Sequence, residues 1–544
     1  MSSVGSAWPR AAPLAASLRD RFERDPGAGA LAIGAALLAA AFFVLARSPI
    51  LYGTVRAPLD ILPGGAAQTL AFLAPLPAAL TAALCVLAPW EGLLVLLLLT
   101  PWFDAAQVGW WIGPLQVLGL TVFLAALVAG VALRLRDPAG RARLSTRAAD
   151  HRLVCLGGLV LLGLATLSTA LSADVGASGP VWLHGVLEPL VLGLLALLLV
   201  PDTRGLRLAL LALGCSAALG GLINLVQTIP TVPSLLALQD HDRAIFSRLT
   251  YFNVGLFGEI LAMAIPLLAA ALIARRPWTG RRLATPVLAA ALAICLVCLY
   301  LTFSKSGWLA AGIALLVLAL AWVRTGRARL AVAAAAVAVS MVVAPWPLLV
   351  LRPVAPPLAS MYAAAMTEIW GSARLATWDP STAAGEVSIT ERLYASGAAL
   401  RMAFDHPLLG VGLDRFKAEY GGPYRDPRAT VVLDAAHDLL PNLAAELGIP
   451  FAVLVAAAMA AAVMSAWRAW RRASEARLRL LAAGLGSSVL AWWIVSATFD
   501  PDLYRTWRLM ASDIVFAAVL IGLALALPRL AEGRAPPAGR RGAL

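Results

Sequence analysis

The sequence predicts an all-α, polytopic integral membrane protein of 12–14 transmembrane helices with a large, partly helical external loop. Three observations carry this expectation. Hydrophobic residues make up 61% of the 544-residue chain and charged residues only 13%, where a soluble globular chain carries roughly 25% charged residues. Mean hydropathy is +0.82. The apolar residues also come in runs, and a hydrocarbon core of about 30 Å needs about 20 apolar residues per helix. Finally, arginines punctuate those runs mostly on one side.

Taken in order, the first 27 residues are polar and Arg-rich, and the first apolar run reads as an anchor, with no cleavable leader evident. Runs follow near 28–46, 67–88, 91–104, 112–133, 153–171, 181–200, 208–228, 255–274, 284–303, 307–323, 331–351, 439–466, 480–499 and 509–527. The third is short and suits a re-entrant hairpin arm. Hence the expected count is twelve or fourteen, and either leaves the termini on one side.

Sidedness follows from the cations. With both termini cytoplasmic, 28 of the 43 Lys and Arg residues fall on the inner side, at 10–24, 134–152, 204–207, 275–282, 324–329, 468–479 and 529–541. The later inner loops are short and Arg-rich, which is where the positive-inside rule is reliable. The same loops account for the net charge of +13 without nucleic acid. The five Cys lie in apolar segments without metal-ligand spacing. Cys295 and Cys298 mimic a CxxC pair, but on a lipid-buried helix they read as small apolar residues.

Three loops then face outward. The largest, 352–438, runs to about ninety residues of mixed Tyr, Trp, Asp, Glu and Arg. Loops beyond about 15 residues are usually functional or disordered, and the mixed composition favours a partly helical, functional one. The second, about 229–254, holds His241, Arg243 and Arg248, and the third is the turn SKSG near 304–307.

The stretch VVLDAAHDLLPNLAAELGIP, residues 431–450, places His437 at the start of a span and Glu446 inside it. Histidine is the side chain best suited to exchanging a proton near neutrality. Asp438 can N-cap the helix, and Pro441 is tolerated in a first turn. Glu446, like Glu188, Glu259 and Asp513, reads as a buried structural or substrate-channel carboxyl, because carboxylates in hydrocarbon are costly and are kept paired.

Lys305, one of only two lysines, sits in LTFSKSGWLAAG between two apolar runs. It can snorkel to the interface. It can equally contact a phosphate, with the hydroxyls and amides at the start of the next helix alongside. Arg248, in SRLTYFNVGLFGEILAMAIP, precedes a span in the same way, and two such cations could clamp a diphosphate. Arg392 and Arg401 lie on ERLYASGAALRMAF, which patterns as an amphipathic helix at the membrane surface. The DHPLLGVG that follows reads as a turn ending that helix. No Walker loop, GxSxG, HExxH or His/Cys metal cluster is present in the sequence.

Four segments together resemble the O-antigen ligase and O-antigen polymerase superfamily of bacterial envelope glycosyltransferases. They are LTYFNVGLFGEILAMAIP, LTFSKSGWLAAG, RMAFDHPLLGVGLDRFKAEY and HDLLPNLAAELGIP, in the family's order, over roughly residues 245–460. Two positions depart from the family pattern: Lys305 where Arg is usual and Asp438 where Asn is usual. Lysine keeps the charge but cannot make a bidentate contact.

The resemblance implies a metal-independent, cofactor-free enzyme in the bacterial inner membrane with its site on the external face. Its donor would be a glycan on polyprenyl (undecaprenyl) diphosphate and its acceptor a lipid or glycan hydroxyl, with membrane lipids around it and no nucleic acid. His437 would act as base, Arg248 and Lys305 would bind the diphosphate, Arg392 and Arg401 would bind substrate, and Glu446 and Glu259 would be buried support. The organisation implied is a cytoplasmic tail at 1–27, transmembrane helices at 28–230, and a ligase-like catalytic region at 231–466 including the loop 352–438. C-terminal transmembrane helices at 467–527 and a cytoplasmic tail at 528–544 complete it. A repeat-unit polymerase needs the same base and clamp. The acidic residues of the core motivate a different class, a transporter or flippase, but the two halves show no convincing repeat, as a transporter would.

Overall fold

The computed structural model of the chain describes residues 75–106, 109–112, 115–228, 254–274, 284–302, 304–323, 326, 387–498 and 512–532. These are helical apart from one two-stranded antiparallel hairpin and the turns between helices. The helices are α1 (Pro75–Leu87), α2 (Pro89–Ala106), α3 (Gly119–Arg136), α4 (Pro138–Asp150), α5 (Arg152–Ala170), α6 (Val175–Val181), α7 (Glu188–Leu199), α8 (Thr203–Thr228) and α9 (Val254–Ile273). They continue with α10 (Ala284–Leu301), α11 (Lys305–Trp322), α12 (Val387–Asp405), α13 (Phe416–Gly421), α14 (Leu439–Leu447), α15 (Ile449–Arg472), α16 (Ala476–Thr498) and α17 (Ser512–Ala531).

Six helices are long and apolar enough to cross a membrane: Arg152–Ala170, Val175–Leu199, Thr203–Leu222, Ile449–Arg472, Ala476–Ser496 and Ile514–Ala531. Four shorter apolar helices accompany them, at Pro89–Leu98, Phe257–Ile273, Thr285–Tyr300 and Ser306–Trp322. All ten coincide with expected runs. The runs at 28–46 and 331–351, and the start of the one at 67–88, lie outside the described residues.

Three local features differ from the sequence expectation. The run at 112–133 begins as a hairpin, β1 (Gly109–Ile112) pairing with β2 (Leu115–Leu118), before α3 starts. The Arg-rich stretch at 134–152 contains a helix, α4. Asp137 caps it by accepting from the Gly140 amide at 2.9 Å, Pro138 opens it, and none of its residues is buried. That is the expected behaviour of a polar, well-capped segment outside lipid. The run at 439–466 is not one span. It breaks at Gly448 into the nine-residue α14 and the 24-residue α15.

The bundle centres on α16, which packs against α9, α11 and α15, while α17 packs against α7 and α15. At the α7–α17 crossing, a Cβ on Gly522 would overlap the Gly193 carbonyl, and one on Gly193 would lie 2.7 Å from the Ala518 oxygen. Backbones meet directly there, which is how membrane helices gain van der Waals contact where lipid removes the hydrophobic drive between them.

Between α6 and α7 the helix widens into a π-turn over Trp182–Leu187. It carries the buried His184, whose Nδ1 lies 3.1 Å from Glu188 Oε1, and the Thr121 hydroxyl donates to the same carboxyl. A carboxyl inside a span is thereby partnered on two sides, as its cost in hydrocarbon requires.

The bundle has two chemically distinct ends. At one, Arg147 donates to the Leu198 carbonyl at 2.6 Å and Arg529 to Val200 at 2.7 Å. At the other, the Ser168 hydroxyl near the end of α5 bonds the carbonyls of Leu409 (2.8 Å) and Glu446 (3.0 Å), and Ser178 bonds that of Leu413 (2.5 Å). The segment 405–448 therefore caps the end opposite the arginines.

Candidate active site

The cap is assembled from α12 upward. The expected amphipathic helix is present: Ala395, Ala398, Ala399 and Met402 form its buried face and pack against Phe416, Tyr420 and Ala436. It ends at Asp405, and DHPLLGVG turns away, as its composition predicts. The glycines of that turn do more than end a helix. Gly410 (φ 68°) and Gly412 (φ 105°) adopt the left-handed region, as does Gly448 (φ 90°) opposite them. A Cβ on Gly448 would overlap the Leu408 carbonyl, and one on Gly410 would overlap the backbone of Glu446. This close approach lets the Val411 amide donate to the Ala445 carbonyl (2.8 Å) and Ile449 to that of Pro407 (2.8 Å). The turn is thus laced onto the break between α14 and α15, by residues that only glycine fits.

Glu446 sits at that break. It is buried, and its Oε1 accepts the Phe416 amide at 2.9 Å, at the first turn of α13. It therefore lies on the short α14, ahead of the break, and not on the long α15, where the continuous run at 439–466 would put it. The physical reason is the Gly448 break, which the continuous apolar run hides.

His437 lies immediately before α14, half-buried, with φ at 55°. A left-handed conformation is uncommon for a residue with a Cβ and persists where surrounding contacts impose it. Those contacts are visible one residue earlier. The Ala436 amide donates to Asn442 Oδ1 (2.9 Å), and the Ala436 carbonyl accepts from Ser396 (3.0 Å) on α12. Upstream, Glu391 accepts from the Thr430 amide (2.7 Å) and hydroxyl (2.6 Å). Burial alone would raise the Glu391 carboxyl, but these bonds and one from Val431 hold it below its usual range. The approach to His437 is tied down at both ends.

Asp438 follows at the N-cap of α14, and its carbonyl accepts the Asn442 amide at 3.0 Å. Partial burial pushes its carboxyl up to about 6, against the opposing pull of the Leu440 amide.

The remaining expected site residues are placed as follows. Lys305 is the first residue of α11, whose N-cap Ser304 accepts the Gly307 amide at 3.2 Å. Helix α11 and helix α14 do not pack closely on each other, but both touch α16. Arg248 lies outside the described residues. Glu259 is buried on α9, next to Gly258, whose added Cβ would lie 2.8 Å from Ser304 Cβ. Arg392 is half-buried on α12. Arg401 is exposed and donates to the Tyr424 carbonyl at 2.8 Å, beside the Asp405–Tyr424 hydrogen bond of 2.9 Å. His406 is exposed where α12 ends.

The structure therefore brings His437, Glu446, Arg392 and Arg401 into one cap. Sequence reasoning passed over Glu391, Ser396 and Asn442, which hold the His437 segment in place. Their positions within ERLYASG and HDLLPN were visible, but not their partners, which lie up to 40 residues away.

A helical membrane bundle capped by a hydrogen-bonded, histidine-bearing segment is the class of molecule this architecture defines. Residues 290–456 match the family model described as O-Antigen ligase. That match supports the O-antigen ligase superfamily and bears out the resemblance seen in the sequence. Over those residues the chain is similar to O-antigen ligases, and its six long apolar helices are of the kind that cross a membrane. The matched stretch contains Lys305, Arg392, Arg401, His437 and Glu446, whereas Arg248 and Glu259 precede it. No curated protein matches the chain.

Proposed function

We propose that this protein transfers a glycan from a polyprenyl (undecaprenyl) diphosphate carrier to an acceptor hydroxyl, as a ligase, at the external face of the bacterial inner membrane. The observation that carries this reading is the O-antigen ligase match across 290–456, with His437 inside it at the polar end of the bundle. Both termini are then cytoplasmic, on the side of the Arg147–Arg529 end.

In this mechanism the acceptor O–H gives its proton to His437. The oxygen forms a bond to the anomeric carbon, and the bond from that carbon to the diphosphate oxygen breaks, its electron pair leaving with the carrier. A positioned imidazole contributes roughly 10²–10⁴-fold to such a step. Most of the remaining demand is charge on the departing diphosphate, which Arg248 and Lys305 would stabilise. Arg392 and Arg401 would contact the glycan or acceptor phosphates, and Glu446 and Glu259 would hold the backbone around them. No metal is required by this scheme.

The test uses the full-length protein, a polyprenyl-diphosphate glycan and a panel of lipid and carrier-linked acceptors. His437→Ala is expected to lower kcat by at least about 10²-fold with donor binding retained. Undiminished transfer in that variant would remove the base assignment, and no transfer by wild type to any acceptor would remove the transferase reading. Transfer to a carrier-linked glycan in preference to a lipid acceptor would make the enzyme a polymerase with the same chemistry. Activity that disappears with a chelator would overturn metal independence.

A further inference from the structure

Helix α12 buries one face in the cap through Ala395, Ala398, Ala399 and Met402, and Ala403 beside that face joins the core of the bundle. Its remaining face is apolar as well. Leu393, Leu400 and Phe404 are 53%, 48% and 74% exposed, and Leu408, just past the helix end, is 70% exposed. Steps of seven and four residues put the first three on one side of the helix. Gly397 falls in the same row, where an added Cβ would meet no atom within 4 Å. Single exposed leucines are ordinary, but a helix bathed in water presents polar residues along its outer face. Arg392, before Leu393, and Arg401, after Leu400, lie about 100° to opposite sides of the row. Cations flank the apolar face of a helix seated among lipid head groups in the same way.

The height of this row relative to the spans is fixed by hydrogen bonds. The Pro407 carbonyl accepts the amide of Ile449, the first residue of α15. The Leu409 carbonyl accepts the hydroxyl of Ser168, in the last turn of α5. Phe404 and Leu408 therefore stand level with the ends of two spanning helices. The end of α5 is itself apolar and outward-facing, with Leu171 67% exposed and Leu167 47%, and α5 is the least buried of the six spans. The lipid-facing surface of α5 thus continues, across the Ser168–Leu409 bond, onto the outer face of α12.

We propose that the outer face of α12 is a membrane anchor for the cap, with Leu400, Phe404 and Leu408 seated among the head groups and upper acyl chains of the adjoining phospholipid leaflet. An apolar face of this kind sinks roughly 5–10 Å into the boundary between head groups and acyl chains. Helix α12 also carries Ser396, which holds the Ala436 carbonyl beside His437. One rigid helix thereby connects the leaflet surface to the histidine segment, and the membrane sets the height at which His437 stands. None of this requires glycosyl transfer, or depends on which side of the membrane the cap faces.

The test uses the full-length protein in phosphatidylethanolamine–phosphatidylglycerol vesicles that contain a phospholipid with a diazirine on its upper acyl chain. After irradiation the labelled residues are mapped. Labelling is expected within 400–408 as well as at 167–171 on α5, and not at 425–428, where Arg425 and Arg428 are exposed on the cap. Labelling at 167–171 without 400–408, or equal labelling of 425–428, overturns the anchor. Labelling of 400–408 that appears only when the protein is diluted in lipid would mean that a second copy covers the face, and overturns it too. In a second arm, Phe404→Asp is expected to cut labelling of 400–408 by at least about fivefold with the thermal midpoint unchanged, and Phe404→Leu is expected to keep it. Undiminished labelling in the aspartate variant, or equal loss in the leucine variant, overturns the assignment.

Discussion

The cap at 387–448 and the bundle beneath it are held together by opposite means. In the cap, backbone shape is set by long-range hydrogen bonds and by left-handed residues, His437, Gly410, Gly412 and Gly448 among them. In the bundle, contact is made mainly by alanine, leucine and glycine faces, with scattered polar partners such as the Thr121–Glu188–His184 group and the Ser216 hydroxyl on the Leu98 carbonyl. The difference teaches that directional bonds between distant residues fix the backbone around His437, whereas close approach of apolar faces fixes the bundle.

The contrast is easiest to break with glycine. Gly448→Ala places a Cβ on a residue at φ 90° and against the Leu408 carbonyl. The backbone strain alone is worth roughly 1–3 kcal/mol, and the overlap adds to it, so a large drop in thermal midpoint is expected. Gly157→Ala on α5, where a Cβ would meet no atom within 4 Å, is expected to leave the midpoint unchanged or slightly raised, because alanine is the better helix former by about 0.5–1 kcal/mol. Equal effects at the two sites would show that cap and bundle are not built differently.

A smaller effect comes from Glu446. Removing it in Glu446→Ala orphans the Phe416 amide, at a cost of roughly 1–3 kcal/mol. Glu446→Gln keeps an acceptor oxygen and is expected to lose less than half of that by thermal or denaturant unfolding. If Gln were as damaging as Ala, the charge of Glu446 and not its hydrogen bond would be what the cap requires.

The smallest expected effect is the pH response of Asp438. Its folded carboxyl is raised from 3.8 to about 6, so between those values the folded protein holds a proton that the unfolded chain has released. Stability from this group is present in acid and lost as pH rises through about 6. Asp438→Asn is therefore expected to raise the thermal midpoint by a few degrees at pH 7.5 and to leave it unchanged at pH 4. A gain that is the same at both values would mean that the carboxyl does not titrate there.

Much of this was legible in the sequence for one reason: a bilayer imposes a local pattern. Runs of apolar residues mark the helices at 153–171, 181–200 and 480–499 because each must satisfy its own backbone. The amphipathic period of ERLYASGAALRMAF marks α12, and the glycines of DHPLLGVG mark its end. His437 stood out as a rare titratable residue beside a span. What escaped was the break at Gly448, since LAAELGIPFAV reads as one apolar run. The tethers on His437 also escaped, since Glu391 and Ser396 look like ordinary surface residues of a helix.

The sequence by itself determined the helical membrane class, the position of the apolar spans, the family of the 290–456 region and the histidine on which the chemistry is proposed to turn. Local composition and periodicity suffice for each of these. The tertiary structure alone decided that Glu446 accepts the Phe416 amide from α14, that Asn442 and Ser396 clamp the residue before His437, and that α7 and α17 meet backbone to backbone at Gly193 and Gly522. Those depend on hydrogen-bonded pairs 6 to 40 positions apart, and on how closely two helices approach. Neither is written in any local pattern of side chains.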